Sequence, residues 1–207
     1  MDNNLGVTEV QWTVLNGSKL WSKGALFQGN RLISVLAQME NIHSKITTDP
    51  NNFFLYADQL KELNDLLKYE EEFFVLALYN TVFFLSHAAN TFAGFRKVVD
   101  EIESVNGVGY IKDVRDMRVH IDEYSKGKGG KNKDNARFVY ESPDELYPAK
   151  PFADHLFAAD ATSTIILPDA YLIGGRINLQ KTMLTLERLL PDITQNCDKH
   201  MQRPQNS

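Results

Sequence analysis

A run of apolar residues from Phe73 to Ala89 limits the folds open to this chain more than any other feature. Asn80, Ser86 and His87 interrupt the run, and it falls short of the roughly 20 apolar residues that a membrane-spanning helix needs. A helix that is hydrophobic nearly all round is stable when other elements surround it. We therefore expect this run to form the central core helix of a bundle, with His87 as a core or interhelical histidine.

The segment from Asn30 to Ile46 has the clearest helical periodicity. Its apolar residues recur three or four positions apart, as they do on one face of a helix, and they are Leu32, Val35, Leu36, Met39, Ile42 and Ile46. The helix is expected to end before Pro50, because the residue that precedes a proline avoids the helical conformation. Residues 1–28 are expected to be an N-terminal packing segment of short helical pieces, broken at Asn16-Gly17 and at Gly24.

Four further helices are expected. Their ranges are about 52–67, 70–102 with a kink at Gly94, 110–124, and 178–197 with a break near Pro191. Two β-rich runs on either side of Pro168-Asp169 predict a β-hairpin over residues 163–177, and Phe138 to Tyr140 favours a short strand. The glycine- and lysine-rich segment 126–137 is expected to be a flexible basic loop, and residues 198–207 a frayed tail.

These elements predict a mainly α fold, an antiparallel helical bundle with a small β-hairpin near the C-terminal helix. The chain has 207 residues, of which 43% are apolar, so we expect a single helical domain over residues 1–207. Charged residues make up 24% of the chain, which is typical of a globular protein and argues against wholesale disorder.

Charge and cysteine content restrict the possible functions. The net charge is -5, so any contact with nucleic acid has to come from a local basic patch. The single cysteine, Cys197, cannot form an internal disulfide or a thiolate zinc site, and no His, Cys and carboxylate residues have zinc-site spacing. The start, Met1 to Asn4, lacks the basic residues of a signal peptide. We expect a cytoplasmic protein that uses no membrane, no metal and no cofactor.

The helix expected over residues 110–124 carries the residues of greatest chemical interest. Asp113, Asp116, His120 and Tyr124 fall along one of its faces, and Arg115 lies to one side of that face. A carboxylate four residues before a histidine can hydrogen-bond the imidazole and fix its orientation. Asp116 stands at that position relative to His120.

The pattern Arg115-Asp116-x-x-x-His120 resembles the Arg-x4–6-His motif of the HEPN superfamily (higher eukaryotes and prokaryotes nucleotide-binding). The resemblance covers the motif helix and the all-helical setting, and it does not extend to the hairpin or the C-terminal helix. HEPN domains are helical bundles that usually pair as dimers, and active members cleave RNA without metal. The resemblance thus implies a homodimer, RNA as substrate, and a toxin or phage-defence role with a cognate antitoxin protein as partner.

The resemblance also implies roles for individual residues. His120 would be the general base or acid when a ribose 2′-OH attacks the adjacent phosphate. Arg115 would stabilise the negative charge that develops on the phosphate oxygens, and Asp116 would orient or tune His120. The expected RNA-binding residues follow on the same helix and in the basic loop, and they are Arg118, Tyr124, Lys126, Lys128 and Lys131.

One looser resemblance and three alternatives accompany this hypothesis. Residues 120–124 and 172–178 together are similar to small uncharacterised bacterial helical proteins, which implies a shared fold and no activity. The charged helix could instead be a solvated or interface helix with pairs such as Arg118 and Asp122. The chain would then be a non-catalytic homodimeric binding or scaffold protein. A third alternative is a small-ligand-binding bundle, with a cavity among Phe73, Phe83, Phe84 and Phe92.

Overall fold

The computed structural model describes residues 7–120, 137–140, 157–160, 164–167 and 170–202. The described part is mainly helical, which confirms the expected bundle with a small β-hairpin near the C-terminal helix. Its helices are α1 (Glu9–Thr48), α2 (Phe53–Ala89), α3 (Phe95–Ser104), α4 (Tyr110–Val119) and α5 (Leu179–Met201). Its strands are β1 (Arg137–Tyr140), β2 (Phe157–Asp160), β3 (Thr164–Leu167), β4 (Ala170–Ile173) and β5 (Ile177–Asn178).

Helix α1 is one continuous helix of 40 residues. It begins at a capping box, in which the Thr8 side chain accepts from the backbone N–H of Gln11 and the Gln11 side chain accepts from the backbone N–H of Thr8. The expectation of short pieces broken at Gly17 and Gly24 is wrong, because the helix runs through both residues. Burial explains the continuity at Gly17, which lies under the aromatic ring of Phe84.

Helix α2 is also a single helix, where the sequence pattern predicts an end near residue 67 and a new start at Glu70. Glu70 is 3% exposed, and its carboxylate accepts hydrogen bonds from the Arg31 guanidinium of α1. The expected continuation to residue 102 is wrong, since α2 ends at Ala89. Gly94, with a φ of 98°, lies in the turn before α3, so the expected kink is a break.

Helices α1 and α2 form an antiparallel hairpin. Gly17 of α1 lies against Phe84 of α2, and Arg31 of α1 pairs with Glu70 of α2. A later residue of α1 thus meets an earlier residue of α2, so the two helices run in opposite directions. Lys19 of α1 donates a 2.7 Å hydrogen bond to Asp198, which holds the C-terminal part of α5 against the hairpin. The core of this region contains fully buried large side chains, among them Leu15, Leu32, Phe74, Leu78 and Leu85.

The outer side of α2 departs from the expectation of a helix surrounded by protein. Phe73 and Phe83 are 55% and 41% exposed, and His87 is exposed rather than a core residue. The Nδ1 atom of His87 lies 2.8 Å from the carbonyl oxygen of Phe83, one helical turn before it. Among the described residues of its own unit, α2 is therefore packed along one side.

The predicted β-hairpin is confirmed. Strands β3 and β4 pair antiparallel, with Thr164 opposite Ile173, and β5 adds a short third strand to β4. Pro168 and Asp169 lie outside the described residues. Strands β1 and β2 form a separate antiparallel pair, so the strand expected at Phe138 to Tyr140 is present. Of the basic loop expected over residues 126–137, residues 126–136 lie outside the described residues. Of the frayed tail expected over residues 198–207, residues 198–201 form the end of α5 and residues 203–207 lie outside the described residues.

Helix α5 runs through Pro191 without the expected break. A proline inside a helix removes one backbone hydrogen bond and costs about 3 kcal/mol. On both sides of it α5 buries apolar side chains completely or nearly so, including Leu186, Leu189, Ile193 and Cys197. That burial is sufficient to keep the helix continuous, because each such side chain contributes about 1.5–3 kcal/mol.

The chain divides into two compact units, one formed by residues 1–99 and 185–207 and the other by residues 100–184. The single domain expected from the sequence stays a prediction. Within the described residues one helical stretch, Pro50–Ala89, is long and apolar enough to cross a membrane by length and composition alone. The core helix of a soluble protein passes the same test, so the expected cytoplasmic location without a membrane also stays a prediction.

Candidate active site

Helix α4 presents the predicted catalytic residues. Gly109 is its N-cap residue and has a φ of 80°, which suits glycine. The helix buries Ile111, Val114 and Met117 along one face. The helix ends at Val119, so the expected extension to residue 124 is wrong. His120 caps the C-terminus instead, and its backbone N–H donates to the Asp116 carbonyl oxygen at 3.0 Å.

Arg115 and Asp116 form an ion pair between neighbours in the sequence. The Nη1 atom of Arg115 donates to Oδ1 of Asp116 at 2.8 Å, and the two side chains are 29% and 26% exposed. Sequence reasoning assigns the Asp116 carboxylate to His120, whereas the structure pairs it with Arg115. The orienting role of Asp116 toward the imidazole therefore stays a prediction.

His120 and Arg118 lie at the C-terminal end of α4 and are both half-buried. A cationic side chain is favoured there, because the helix dipole concentrates negative partial charge on the last carbonyl groups. On an ideal helix Arg115 and His120 stand about 140° apart, on the two flanks of the exposed face. The two residues are thus close in sequence, but their side chains leave the helix axis in different directions.

Four of the predicted RNA-binding residues lie outside the described residues, and they are Tyr124, Lys126, Lys128 and Lys131. The common face that the sequence assigns to His120 and Tyr124 therefore stays a prediction. Arg118 is the predicted binding residue that the structure places, in the last turn of α4.

Arg176 is a cation near α4 that sequence reasoning missed. Its guanidinium carbon lies 4.1 Å from the centre of the Tyr110 ring, and its Nη1 atom lies 3.4 Å from Oδ2 of Asp113. Burial lowers the pKa of Arg176 from its ordinary value, while Tyr110 and Asp113 act in the opposite direction. Arg176 therefore fixes the turn after β4 against the first turns of α4.

Asn106 provides a second link to the start of α4. This residue is 5% exposed, and its Oδ1 atom accepts hydrogen bonds from the backbone N–H of Asn178 at 2.9 Å and the hydroxyl of Thr182 at 3.0 Å. Its Nδ2 atom donates to the Ile102 carbonyl oxygen at 3.2 Å. These hydrogen bonds tie the loop before α4 to the start of α5.

The aromatic rings proposed for a ligand cavity do not enclose one. Phe73 and Phe83 are exposed, and the Phe84 ring is packed against Gly17. An open groove of about 780 Å³ lies elsewhere in the same unit, and its lining includes Lys23, Glu187, Leu190 and Pro191. A ligand pocket usually buries most of its ligand, whereas the proposed rings enclose no space and this groove is open, so the described residues do not favour the ligand-binding alternative.

Comparison with protein-family models, with curated proteins and with solved structures finds no match. Among the described residues no group of three or more His, Cys, Asp or Glu side chains could hold a metal ion. Membership of the HEPN superfamily therefore stays a prediction that depends on the motif from Arg115 to His120. The absence of a metal requirement stays a prediction as well.

Proposed function

We propose that this chain is a HEPN-like, metal-independent ribonuclease that binds RNA at α4. One observation supports the proposal above the others: Arg115 on α4 and His120 at the C-terminal end of α4 are both partly accessible. An imidazole can transfer the protons, and a guanidinium can stabilise the phosphate charge, when a 2′-OH cleaves the adjacent phosphodiester.

The reaction follows from these two groups. The 2′ oxygen attacks the adjacent phosphorus while the bond from phosphorus to the 5′ oxygen breaks, giving a 2′,3′-cyclic phosphate and a 5′-hydroxyl. His120 accepts the proton of the 2′-OH as general base, or donates a proton to the leaving 5′ oxygen as general acid. Arg115 donates hydrogen bonds to the phosphate oxygens as negative charge develops on them.

The ion pair of Arg115 with Asp116 does not prevent this role. An arginine–phosphate contact is charge-assisted and bidentate, so it is at least as favourable as the single contact between Arg115 and Asp116. An RNA phosphate can therefore compete with the Asp116 carboxylate for the Arg115 guanidinium. Arg118, together with Lys126, Lys128 and Lys131, supplies the local positive charge that a chain of net charge -5 needs to bind RNA.

The test uses the full chain, mixed-sequence single-stranded RNA and a chelator. We expect His120→Ala and Arg115→Ala each to lower the cleavage rate by at least about 100-fold, the usual scale for loss of a proton-transfer group. The matched control is His43→Ala, since His43 is an exposed histidine on α1 and should be dispensable. Thermal melts should be the same for all four proteins, and the product ends should be cyclic phosphates by mass spectrometry.

Two outcomes contradict the ribonuclease proposal. The first is a wild-type chain that leaves RNA intact, and the second is cleavage that survives His120→Ala. The wider proposal of a bacterial toxin or phage-defence role predicts that expression slows growth and that His120→Ala abolishes the effect. A cognate antitoxin would suppress it when coexpressed.

A second candidate function, a non-catalytic homodimeric scaffold, is favoured by a separate observation. The exposed aromatic side chains of α2, such as Phe73, form a surface suited to protein contact rather than to RNA. The scaffold alternative predicts no cleavage by any variant, and predicts that a charged residue on this surface, as in Phe73→Glu, weakens self-association.

A further inference from the structure

Helix α2 carries an exposed stripe of side chains at alternating steps of four and three residues. The stripe, called here the α2 stripe, consists of Glu62, Leu66, Tyr69, Phe73, Leu76, Asn80, Phe83 and His87. Asn80 is half-buried, and the other members are exposed. Its apolar members are exposed by 38% at Leu66, 65% at Tyr69, 55% at Phe73, 40% at Leu76 and 41% at Phe83. Alternate steps of three and four are the repeat by which helices pack side by side in coiled coils.

The opposite side of α2 is already occupied. Leu67, Phe74, Thr81 and Leu85 are buried there, at the positions that pack against the rest of the same unit. The α2 stripe therefore belongs to a second apolar face of one helix. Contiguous apolar surface of this kind on a protein marks an interaction site.

We propose that the α2 stripe is a homodimer interface, in which α2 packs antiparallel to α2 of a second copy about a two-fold axis. The steps between its members read the same from either end, so the stripe is complementary to itself when one copy is reversed. The axis passes between Phe73 and Leu76. Each of these residues then lies opposite the other in the second copy, as an isologous contact requires.

The charges at the two ends of the stripe select the antiparallel arrangement. The reversed copy places Leu66 opposite Phe83 and Glu62 opposite His87. A parallel pair would instead place Glu62 against Glu62, which is unfavourable. The Nδ1 atom of His87 donates to the Phe83 carbonyl oxygen, so Nε2 donates to a carboxylate only when the imidazole carries both protons.

The exposed area matches the requirement of a stable dimer. Phe27 of α1 is 62% exposed, and its ring centre lies 5.9 Å from the guanidinium of Arg31, which binds Glu70 of α2, so we include Phe27 in the surface that the second copy covers. A fully exposed side chain of this size presents about 200 Å². Phe27 and the apolar part of the stripe therefore present about 600 Å² per copy, and the polar members add to it. Two copies reach the lower end of the roughly 1,200–2,000 Å² found in specific interfaces.

This inference holds whether or not the chain cleaves RNA, since it involves none of the residues of α4. Its first test is the mass of the full chain by light scattering and sedimentation. We expect the wild type to have twice the chain mass of 23.6 kDa and Phe73→Glu to have the single mass. The matched control is Phe54→Glu, because Phe54 is 84% exposed on the same helix but outside the stripe, and this variant should remain a dimer.

Both side chains are exposed, so both variants should keep the helical circular dichroism and melting temperature of a folded chain. A wild-type monomer at tens of micromolar, or a Phe73→Glu variant that is still a dimer, overturns the proposal. Phosphatidylglycerol vesicles test a lipid surface as the other occupant. Co-flotation of the wild type that Phe73→Glu abolishes would assign the stripe to a membrane and would also overturn the homodimer.

The orientation has its own test by disulfide cross-linking. A mixture of Glu62→Cys chains and His87→Cys chains should form a cross-linked dimer under mild oxidation, whereas either variant alone should not. The native Cys197 is fully buried and does not interfere. Cross-linking of Glu62→Cys with itself contradicts the antiparallel arrangement, because it requires the two copies to run parallel.

Discussion

Two glycines of α1 should respond to the same substitution with opposite signs. Gly17 and Gly24 both lie inside the helix, and neither has a positive φ. Alanine in a helix interior is more stable than glycine by about 0.5–1 kcal/mol, because glycine loses more backbone entropy on folding. The surroundings decide whether that gain is realised.

The space at each position gives the magnitude. A Cβ atom at Gly24 would have its nearest heavy atom, Cε3 of Trp21, at 4.0 Å, which is ordinary contact, so Gly24→Ala should stabilise by about 0.5–1 kcal/mol. A Cβ atom at Gly17 would lie 2.5 Å from Cδ1 and 2.8 Å from Cγ of Phe84. Since Cγ is next to the Phe84 backbone, turning the ring cannot relieve the clash. Overpacking costs about 1–3 kcal/mol, so Gly17→Ala should destabilise by roughly 1–2 kcal/mol net.

Chemical and thermal unfolding of the full chain measure both effects. A change of 1 kcal/mol corresponds to about 2–4 °C in a chain of this size, so the two variants should differ by at least about 3 °C in melting temperature. The control is Phe84→Leu added to Gly17→Ala, which removes the clashing ring atoms and should recover part of the loss. Equal shifts for the two glycines, or destabilisation by Gly24→Ala, would refute the close approach of α1 and α2 at Gly17.

Two further predictions concern buried polar groups. Arg31→Met removes the guanidinium from the Glu70 carboxylate, which is 3% exposed, and should lower the free energy of unfolding by about 2 kcal/mol. This loss is smaller than for a fully buried ion pair, because Arg31 is half-exposed. Adding Glu70→Gln should recover most of the loss, as measured by urea unfolding. Burial raises the pKa of the Cys197 thiol from 9.0 to about 11. Because the folded state favours the protonated thiol, this contribution to stability is complete below pH 9 and is lost as the pH rises toward 11. Cys197→Ser should therefore remove this part of the alkaline destabilisation. Rapid thiol labelling of the folded chain at pH 8 would contradict the burial.

Local periodicity was enough to predict the helices and the hairpin but not where the helices join. The apolar spacing from Leu32 to Ile46 is a property of one helix face and needs no tertiary information. The uninterrupted passage of α1 through Gly17 does need it, because the glycine is favoured there by the Phe84 ring of another helix. The passage of α5 through Pro191 likewise depends on the burial of residues on both sides. Long-range packing overrides weak local preferences in both cases.

The sequence likewise predicts the local part of the candidate site and not the contacts that are distant in sequence. The short separation of Arg115 and His120 makes them visible in the sequence, and the structure does place both on or at the end of α4. The contacts that hold α4 in place are not visible in the sequence. Arg176 pairs with Asp113, from which it is separated by 63 positions in the sequence, and Thr182 donates to Asn106, from which it is separated by 76 positions. A single sequence shows no sign of which distant polar side chains will meet.

The apolar run that dominates the sequence has two explanations that a hydropathy pattern cannot separate, a core helix and a helix shared between two copies. Exposure separates them, since Phe74 is fully buried while Phe73 is 55% exposed. The dimer and the ribonuclease can accordingly fail independently. A monomeric Phe73→Glu chain that still cleaves RNA would mean that one imidazole, with water as the second proton-transfer group, suffices. Loss of cleavage together with loss of the dimer would mean that the ribonuclease depends on the second copy.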